Sequence, residues 1–513
     1  MSNWTEGYVA DITYTQGYYR ELSPASLSLA LMLRGLRAPD LSQSLTYCEL
    51  GFGYGLSLLV HAACFPNIRF YGTDFNPAHA AHAYQIAQQA GLDNVTVFDD
   101  SFEQLALRDL PQMDFIVLHG IYSWVSPDIR RGIVEFIDRR LKPGGVVYVS
   151  YNALPGWSAA MPMRELMRLH STRESSPALP TTTKVKQAVE FMDDLNGRKL
   201  RYFMSVPGMD KRIERLHTAN ANYLAHEYFN REWHPQYFYQ VAEEMAAARI
   251  EFACSAQLSD HIDAANLTRE ALQHLRSIPD LVMRETLRDY YLNQQFRRDI
   301  YTRGASKLPQ IAQFDQMLDQ RWALIAAREI VNFSIQVGPG EVSLDPAAHQ
   351  PIIDALAEGP LSGRDLLQRK DVGELGHTRL MQALILLAQA GYLHALQPNE
   401  RVEAARASCL RFNNVIAGQA ADGEINYVAC PLSGLAVNRS RVALMQTAAY
   451  LAGTHDAAAM AEKVWSALAT RNQKMVRDGV MFETRDENLA YLQELSREFI
   501  EYEVPRLKVL GLL

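Results

Sequence analysis

An acid followed by closely spaced glycines is the part of this 513-residue sequence best suited to chemistry: Glu49-Leu50-Gly51-Phe52-Gly53-Tyr54-Gly55. β-formers run from Thr46 to Leu50 and stop at Gly51, and a helical apolar pattern, Leu56 to Cys64, begins after Gly55. That order predicts a strand, a tight turn and a helix. Glycines in such a turn let the backbone approach a ligand and adopt positive φ without a Cβ clash. Dinucleotide folds use G-x-G-x-x-G and seat a pyrophosphate on the helix N-terminus. Here the spacing is G-x-G-x-G, and Glu49 would set a carboxylate against any pyrophosphate. The pair of features favours a ligand with no phosphate and a positive group, and S-adenosylmethionine carries both a sulfonium and an α-amine. Taken alone, the same turn also suits an ordinary strand-to-helix corner.

The residues that follow the next strands extend this reading. Gly72-Thr73-Asp74-Phe75-Asn76-Pro77 puts an acid where nucleoside folds place the ribose-binding carboxylate. Asp74 is assigned to the ribose hydroxyls, because Asn76 before Pro77 is the better helix N-cap. In Asp99-Asp100-Ser101-Phe102, one of the two aspartates is placed to accept from an adenine amino group, with Phe75 and Phe102 placed to sandwich the ring, or else either is a solvated turn acid. The run His119-Gly120-Ile121-Tyr122-Ser123-Trp124 falls where the transferred methyl would lie. Tyr122 and Trp124 are expected to line an acceptor slot, since an aromatic wall holds an amine and its cationic product through cation–π contact. His119 is either a base or a satisfied strand-end residue. Asn152 either orients the acceptor amine or caps a turn. Upstream, Tyr8, Tyr14, Tyr18 and Tyr19 form an aromatic cluster before an apolar helix, Pro24 to Leu36. It is either a cover for the sheet edge or a flap whose tyrosines, Tyr14 and Tyr19 among them, close over the ligand.

The elements that must position these groups alternate strand and helix, the sequence form of a parallel sheet with helices on both faces. Strands are expected at Thr46 to Leu50, Arg69 to Gly72, Val95 to Phe98, Phe115 to His119 and Val146 to Tyr151, with helices starting near Gly55, Pro77, Glu103 and Pro127. In such sheets ligands bind beyond the carboxyl ends of the strands. A Pro143-Gly144-Gly145 turn precedes the fifth strand. In this order the set resembles a class I S-adenosylmethionine-dependent methyltransferase, an α/β Rossmann-like fold.

A length of 513 residues implies several domains. The composition, 48% hydrophobic and 21% charged, is that of a globular protein able to bury large cores. A formal net charge of -8 argues against a nucleic-acid binder with a broadly basic surface. The five cysteines lack C-x-x-C spacing, so neither a disulfide scaffold nor a metal site is expected, and a reducing cytoplasm is the natural compartment. No signal peptide or membrane span is visible. The expected organisation is a cofactor-binding core at 1–157, a helical insertion at 158–225, a region completing the sheet at 226–305, a linker at 306–344, a winged-helix-like unit at 345–400 and a mainly helical domain at 401–513.

Several runs are similar to one bacterial subgroup, the protein-lysine methyltransferases with a methyltransferase regulatory domain described for rickettsial outer-membrane-protein substrates. They are Gln16 to Leu22, His119 to Val125, Ser150 to Trp157 and His226 to Asn230. The resemblance implies methyl transfer from S-adenosylmethionine to a protein lysine and suggests a homodimer. A lysine nucleophile must be neutral, and a pocket of Tyr122, Trp124, Tyr151 and Trp157 would favour that form by desolvation. Two other readings compete: a small-molecule or glycan O-methyltransferase, which would need a base and raise the importance of His119, and a non-catalytic S-adenosylmethionine-binding regulator.

Overall fold

In a computed structural model, residues 17–513 are described apart from 177, 338, 339 and 424, so Tyr8 and Tyr14 lie outside the described residues. A seven-stranded sheet organises the first 303 residues. Its strands are β1 (Leu45–Leu50), β2 (Ile68–Thr73), β3 (Val95–Phe98), β4 (Met113–Leu118), β5 (Leu141–Asn152), β6 (Glu251–Ser255) and β7 (Phe296–Thr302), in the order β3-β2-β1-β4-β5-β7-β6. The first five pair in parallel, and β7 runs antiparallel between β5 and β6. Every residue of β1 and β4 is buried, as central strands covered on both faces require, whereas β3 at the edge is half-exposed.

Local signals explain the helix starts. α1 is Pro24–Leu33, and α2 (Leu56–Cys64) opens at Gly55, held at φ +78°. α3 (Pro77–Ala90) is capped by the Asn76 side chain, which accepts from Ala78 N–H, with proline at the first helical position. α4 (Phe102–Leu107) carries a reciprocal Ser101–Gln104 capping box, and α5 (Pro127–Arg140) starts at Ser126.

The fifth strand is longer than the sequence suggests. Lys142-Pro143-Gly144-Gly145 lies inside β5 and not in a turn before it; Gly144 takes φ +78°, and its N–H donates to Arg303 O at 2.7 Å. Five helices from Met161 to Phe229 form the insertion around their own core of Met163, Met167, Val185, Met192, Ile213 and Leu224. The last of these helices, Ala221–Phe229, buries Leu224, Ala225 and Tyr228 in that core, so the insertion runs past the expected end at residue 225.

Two further expectations are corrected. Residues 306–344 are not a linker: they hold a helix, Gln310–Asp319, and a strand, Arg321–Leu324, which lies at the centre of a three-stranded antiparallel sheet between Leu361–Ser362 and Leu393–Ala395. A strand from upstream thus takes the place that a wing would fill, and the chain passes from Leu393–Ala395 into the helix Asn399–Gln419. Nor is the C-terminal region a separate core. Asn399–Gln419 lies along α2 and α3: Ser408 Oγ donates to Ala63 O at 2.6 Å, and Arg411 Nε to Ala90 O at 3.1 Å. For this reason all nine residues of α2 are buried, although a surface helix buries only one stripe. Among the described residues no helix is long and apolar enough to cross a membrane, and all five cysteines are free and buried.

β7 is fixed to its neighbours by a buried charge cluster. Arg297 donates to Asp289 Oδ1 at 2.6 Å, to Asp299 at 3.0 Å and to Glu285 at 3.2 Å, while Tyr151 OH on β5 donates to Asp299 at 2.7 Å. Burial pushes the Asp289 and Asp299 carboxyls up, to about 7 and about 6, against the pull of Arg297. Arg297→Met removes the one cation those acids face. The expected loss is about 3–5 kcal/mol in chemical denaturation at pH 8. It should be smaller at pH 5.5, where the carboxyls take up protons instead of standing unpaired. A loss independent of pH would contradict this account.

Candidate functional site

The turn after β1 is held by the turn after β2. Gly51 and Phe52 N–H both donate to Thr73 O, at 2.8 and 3.3 Å, and Gly53 N–H donates to Asp74 Oδ2 at 2.8 Å. The other oxygen of Asp74 accepts from Asn76 N–H at 3.0 Å and meets His79 Nδ1 at 3.1 Å. The carboxylate assigned from sequence to a ribose is therefore also the clamp of the glycine turn. Gly51, Gly53 and Gly55 all take positive φ. A Cβ at Gly51 would run into Ile121, and one at Gly55 would lie 2.8 Å from Ala83 Cβ, whereas the space beside Gly53 is open. Phe52 turns its ring into the core against Gly72, so only its backbone faces the turn's concave side.

Glu49 is the group this cradle leaves unsatisfied. It is 3% exposed, and its Oε2 has no hydrogen-bond partner among the described residues. Burial, with the Asp74 charge behind it, pushes its carboxyl up to about 8. A buried acid in that state calls for a cation or a strong donor. This fits a ligand bearing an amine and a sulfonium, and not one bearing phosphates.

The residues after β3 divide differently from expectation. Asp100 is ion-paired with Arg108, and its carbonyl accepts from Thr73 Oγ1 at 2.5 Å; Asp99 is exposed. Ser101 spends its hydroxyl on the α4 cap. Phe102 stands next to Gly51, while Phe75 is half-buried beyond β2.

His119 is locked in place. Its Nδ1 meets Tyr148 OH at 2.8 Å and Ser150 Oγ at 3.2 Å, and Tyr19 stacks on the ring at 3.8 Å between centroids. Tyr19 N–H in turn donates to Ser57 Oγ at 2.9 Å, joining the segment before α1 to the first turn of α2. Gly120, at φ +64°, donates its N–H to Ser150 Oγ at 2.8 Å. Burial pushes the His119 imidazole down to about 3, outweighing the attraction of Glu21. The ring is held neutral with its Nδ1 hydrogen-bonded, which makes it a weak base.

The expected aromatic slot is only partly there. Tyr122 is fully buried, and its hydroxyl donates to Glu244 of the helix Phe238–Ala246. Tyr151 is fully buried toward Asp299. Both are core residues and are withdrawn from the slot. Trp124 and Trp157 instead meet a third ring that sequence reading missed, Trp233, at centroid distances of 6.3 and 5.1 Å. The cations in this cluster are the chain's own, Arg164 and, 5.1 Å over Trp157, Arg212. The Arg164 guanidinium lies 4.2 Å over Trp233 and 5.8 Å over Trp124, and donates to the carbonyls of Glu227 and Asn230, both at 2.9 Å. It pins the insertion to the loops after β4 and β5.

The segment carrying Trp233 runs beside the end of β5. Gln236 N–H donates to Asn152 O at 3.0 Å, and His234 N–H to Ser123 O at 2.7 Å. Asn152 is buried, its N–H donates to Ser123 Oγ at 2.6 Å, and its side-chain Nδ2 has no partner among the described residues. It thus offers a donor, where the sequence suggested an acceptor. His234 Nε2 lies 2.8 Å from Glu232 Oε2, a histidine–carboxylate pair also absent from the sequence reading. The only signal for either was the run Arg231-Glu232-Trp233-His234-Pro235, too far along the chain to be linked with the loop after β4.

Two family models match the chain: one described as a methyltransferase domain, over residues 48–147, and one described as a predicted methyltransferase regulatory domain, over residues 220–303. An uncharacterized protein of Synechocystis sp. is 39% identical over 514 residues, 99% of each chain. One from Rickettsia prowazekii is 26% identical over 305 residues, 58% of this chain and 53% of that protein. The solved structure of PKMT2 from Rickettsia typhi in complex with AdoHcy has the same fold, with a TM-score of 0.68 at 22% identity, covering 95% of this chain and 98% of that one.

The depressed imidazole gives a direct check. An unfolded chain protonates this histidine near 6.5 and the folded chain only near 3. Its share of stability is therefore lost as pH falls from about 6.5 toward 3. NMR of the His119 ring should show no titration between pH 5 and 9, and an inflection near pH 6–7 would refute the assignment.

Proposed function

We propose a protein lysine as the methyl acceptor, on the premise that this chain belongs to the class I S-adenosylmethionine-dependent methyltransferases carrying a methyltransferase regulatory domain. Bound S-adenosylmethionine supplies an electrophilic methyl on a sulfonium. In our reading Glu49 and the Gly53 backbone receive the cationic end and Asp74 the ribose. One of Asp99 and Asp100 takes the adenine amino group, and Phe75 and Phe102 flank the base. Tyr19 closes on the site from the N-terminal side through its stacking on His119.

The observation that carries the amine acceptor is His119. Its Nδ1 is already hydrogen-bonded and burial pushes the imidazole down to about 3, which makes it a weak base for a hydroxyl. An amine needs no such base once desolvation makes its neutral form accessible, since lysine titrates near 10.4 in water and shifts down by up to 3–5 units on full burial. Asn152 orients the incoming nitrogen by accepting from its N–H through the amide oxygen, and alignment supplies much of the rate, roughly 7–11 kcal/mol for a well-placed pair. The likeness in fold to a protein named PKMT2 supports a protein substrate, as does the helical insertion beside the loops after β4 and β5. The unit from Pro346 to Ala395 we read as winged-helix-like. Its helix Gly376–Gln389 has Arg379 as its one arginine or lysine and buries most of its second half, which suits protein contact better than a phosphate backbone.

A second reading rests on His234. Paired with Glu232 and bonded to Ser123, it could serve as the base for a hydroxyl acceptor. Incubation with methyl-labelled S-adenosylmethionine and a fractionated lysate separates the two. Label on lysine, located by mass spectrometry of the protein fraction, is the expected result. Label confined to small molecules, and lost in His234→Gln, would reject the lysine and favour the second reading.

Glu49 makes a separate prediction. At pH 7 its carboxyl is largely protonated in the free protein, and a cation beside it lowers that affinity for the proton. Binding of S-adenosylmethionine should then release close to one proton, read by calorimetry in buffers of different ionisation enthalpy. Glu49→Gln should abolish the release and weaken binding roughly tenfold or more, the loss of one charged hydrogen bond. Unchanged proton release in that variant would remove Glu49 from the site.

A further inference from the structure

A cavity apart from the glycine turn lies against α1. It has a volume of about 350 Å³ and is walled by α1, the stretch 36–41, the helix Gln310–Asp319 and the start of Asn399–Gln419. None of its lining residues belongs to the glycine turn or to the loops after β2, β3, β4 or β5. Most of the wall is apolar, with Leu29, Met32, Leu308 and Leu396 among the lining residues.

Several residues of this wall carry polar atoms without partners. Gln397 is 5% exposed and gives its Nε2 to Pro431 O at 3.0 Å, yet its Oε1 is unsatisfied among the described residues. Ser28 Oγ is likewise buried and unpaired, and so are Nε and Nη1 of Arg401. A buried donor or acceptor costs about 1–3 kcal/mol when no water or ligand meets it. Arg401 makes no ion pair among the described residues. The nearby acid at the rim, Asp40, spends its carboxylate on Ser42 N–H at 3.0 Å, Ser42 Oγ at 2.8 Å and Gln43. Arg37 also stands at the rim, and Arg401 faces the charges of Asp40 and Glu400. A smaller hollow continues along α1 and shares Ala25, Leu29, Ala395 and Ser433 with it.

We propose that this cavity is a binding site for an aliphatic carboxylate that carries a hydroxyl close to its acid end. The unspent guanidinium donors of Arg401 and the Ser28 hydroxyl take the carboxylate, Gln397 Oε1 accepts from the ligand hydroxyl, and the leucine-lined wall takes the chain. Apolar lining with a few convergent polar groups, in a volume of this order, is the usual make-up of a small-molecule site. The proposal stands apart from the methyltransferase reading, because no residue is common to the two sites.

The test titrates the full-length protein with octanoate, 3-hydroxyoctanoate and octanol by calorimetry. Saturable one-site binding is expected, tightest for the hydroxy acid, weaker for octanoate and undetectable for octanol. From hexanoate to octanoate each added methylene should tighten binding by about fourfold. Arg401→Met should weaken 3-hydroxyoctanoate binding at least tenfold while leaving adenosylhomocysteine binding unchanged, which also verifies that the variant folds. If neither acid saturates the protein at millimolar concentration, if octanol binds as well as octanoate, or if Arg401→Met binds like the parent, the proposal fails. Crystals soaked with 8-bromooctanoate give an answer that needs no variant. A bromine anomalous peak between α1 and Leu396 supports the site, and a peak only elsewhere overturns it.

Discussion

Two carboxylates, Glu49 at the end of β1 and Asp74 just beyond β2, are buried on neighbouring strands, and the protein satisfies only one of them. Asp74 receives Gly53 N–H, Asn76 N–H and His79, and so closes the glycine turn. Glu49 is left with an unpaired oxygen and, facing a like charge, holds its proton to about pH 8. The free protein thus leaves one buried acid without a partner at this point. Much of the surrounding architecture keeps that point in place. α2 starts from the turn, α3 from the Asn76 cap, and both are braced from outside by the C-terminal helix Asn399–Gln419.

The regulatory region is structural before it is anything else. It contributes β6 and β7, and β7 pairs with β5 along seven residues, Val146 to Asn152. Without it the far edge of β5 would be open, and the buried Arg297 cluster that joins Tyr151, Asp299 and Asp289 would not exist. The same region brings Trp233 and His234 to the loop after β4. Arg164 makes the third connection, carrying the insertion onto the same tryptophans.

Much of the cofactor side was legible in the sequence. The strand–turn–helix at Leu45–Cys64, the Asn76 cap and the strand ends bearing Asp74 and His119 follow from local patterns, and the family models cover the same stretch. The acceptor side was not legible to the same degree. Tyr122, Trp124, Tyr151 and Trp157 look alike as aromatic residues near strand ends, yet two of them are core and two join Trp233. Along a strand the side chains alternate between faces, so Tyr151 and Asn152 had to part company, but which face held the ligand depended on where β7 packed. Pro143-Gly144-Gly145 misled for a related reason: a bend inside a long strand and a turn before a short one use the same residues.

What the sequence determined by itself was whatever is encoded within a few residues: the tight turn, the caps, the positions of the strands up to β5 and an acid placed to repel phosphate. The tertiary structure alone decided which side chains are left without partners. Glu49 Oε2, Asn152 Nδ2 and Gln397 Oε1 are unremarkable in a string of letters. Their unmet hydrogen bonds arise only when segments tens or hundreds of residues apart exclude water around them, and burial of that kind is a property of the packed chain.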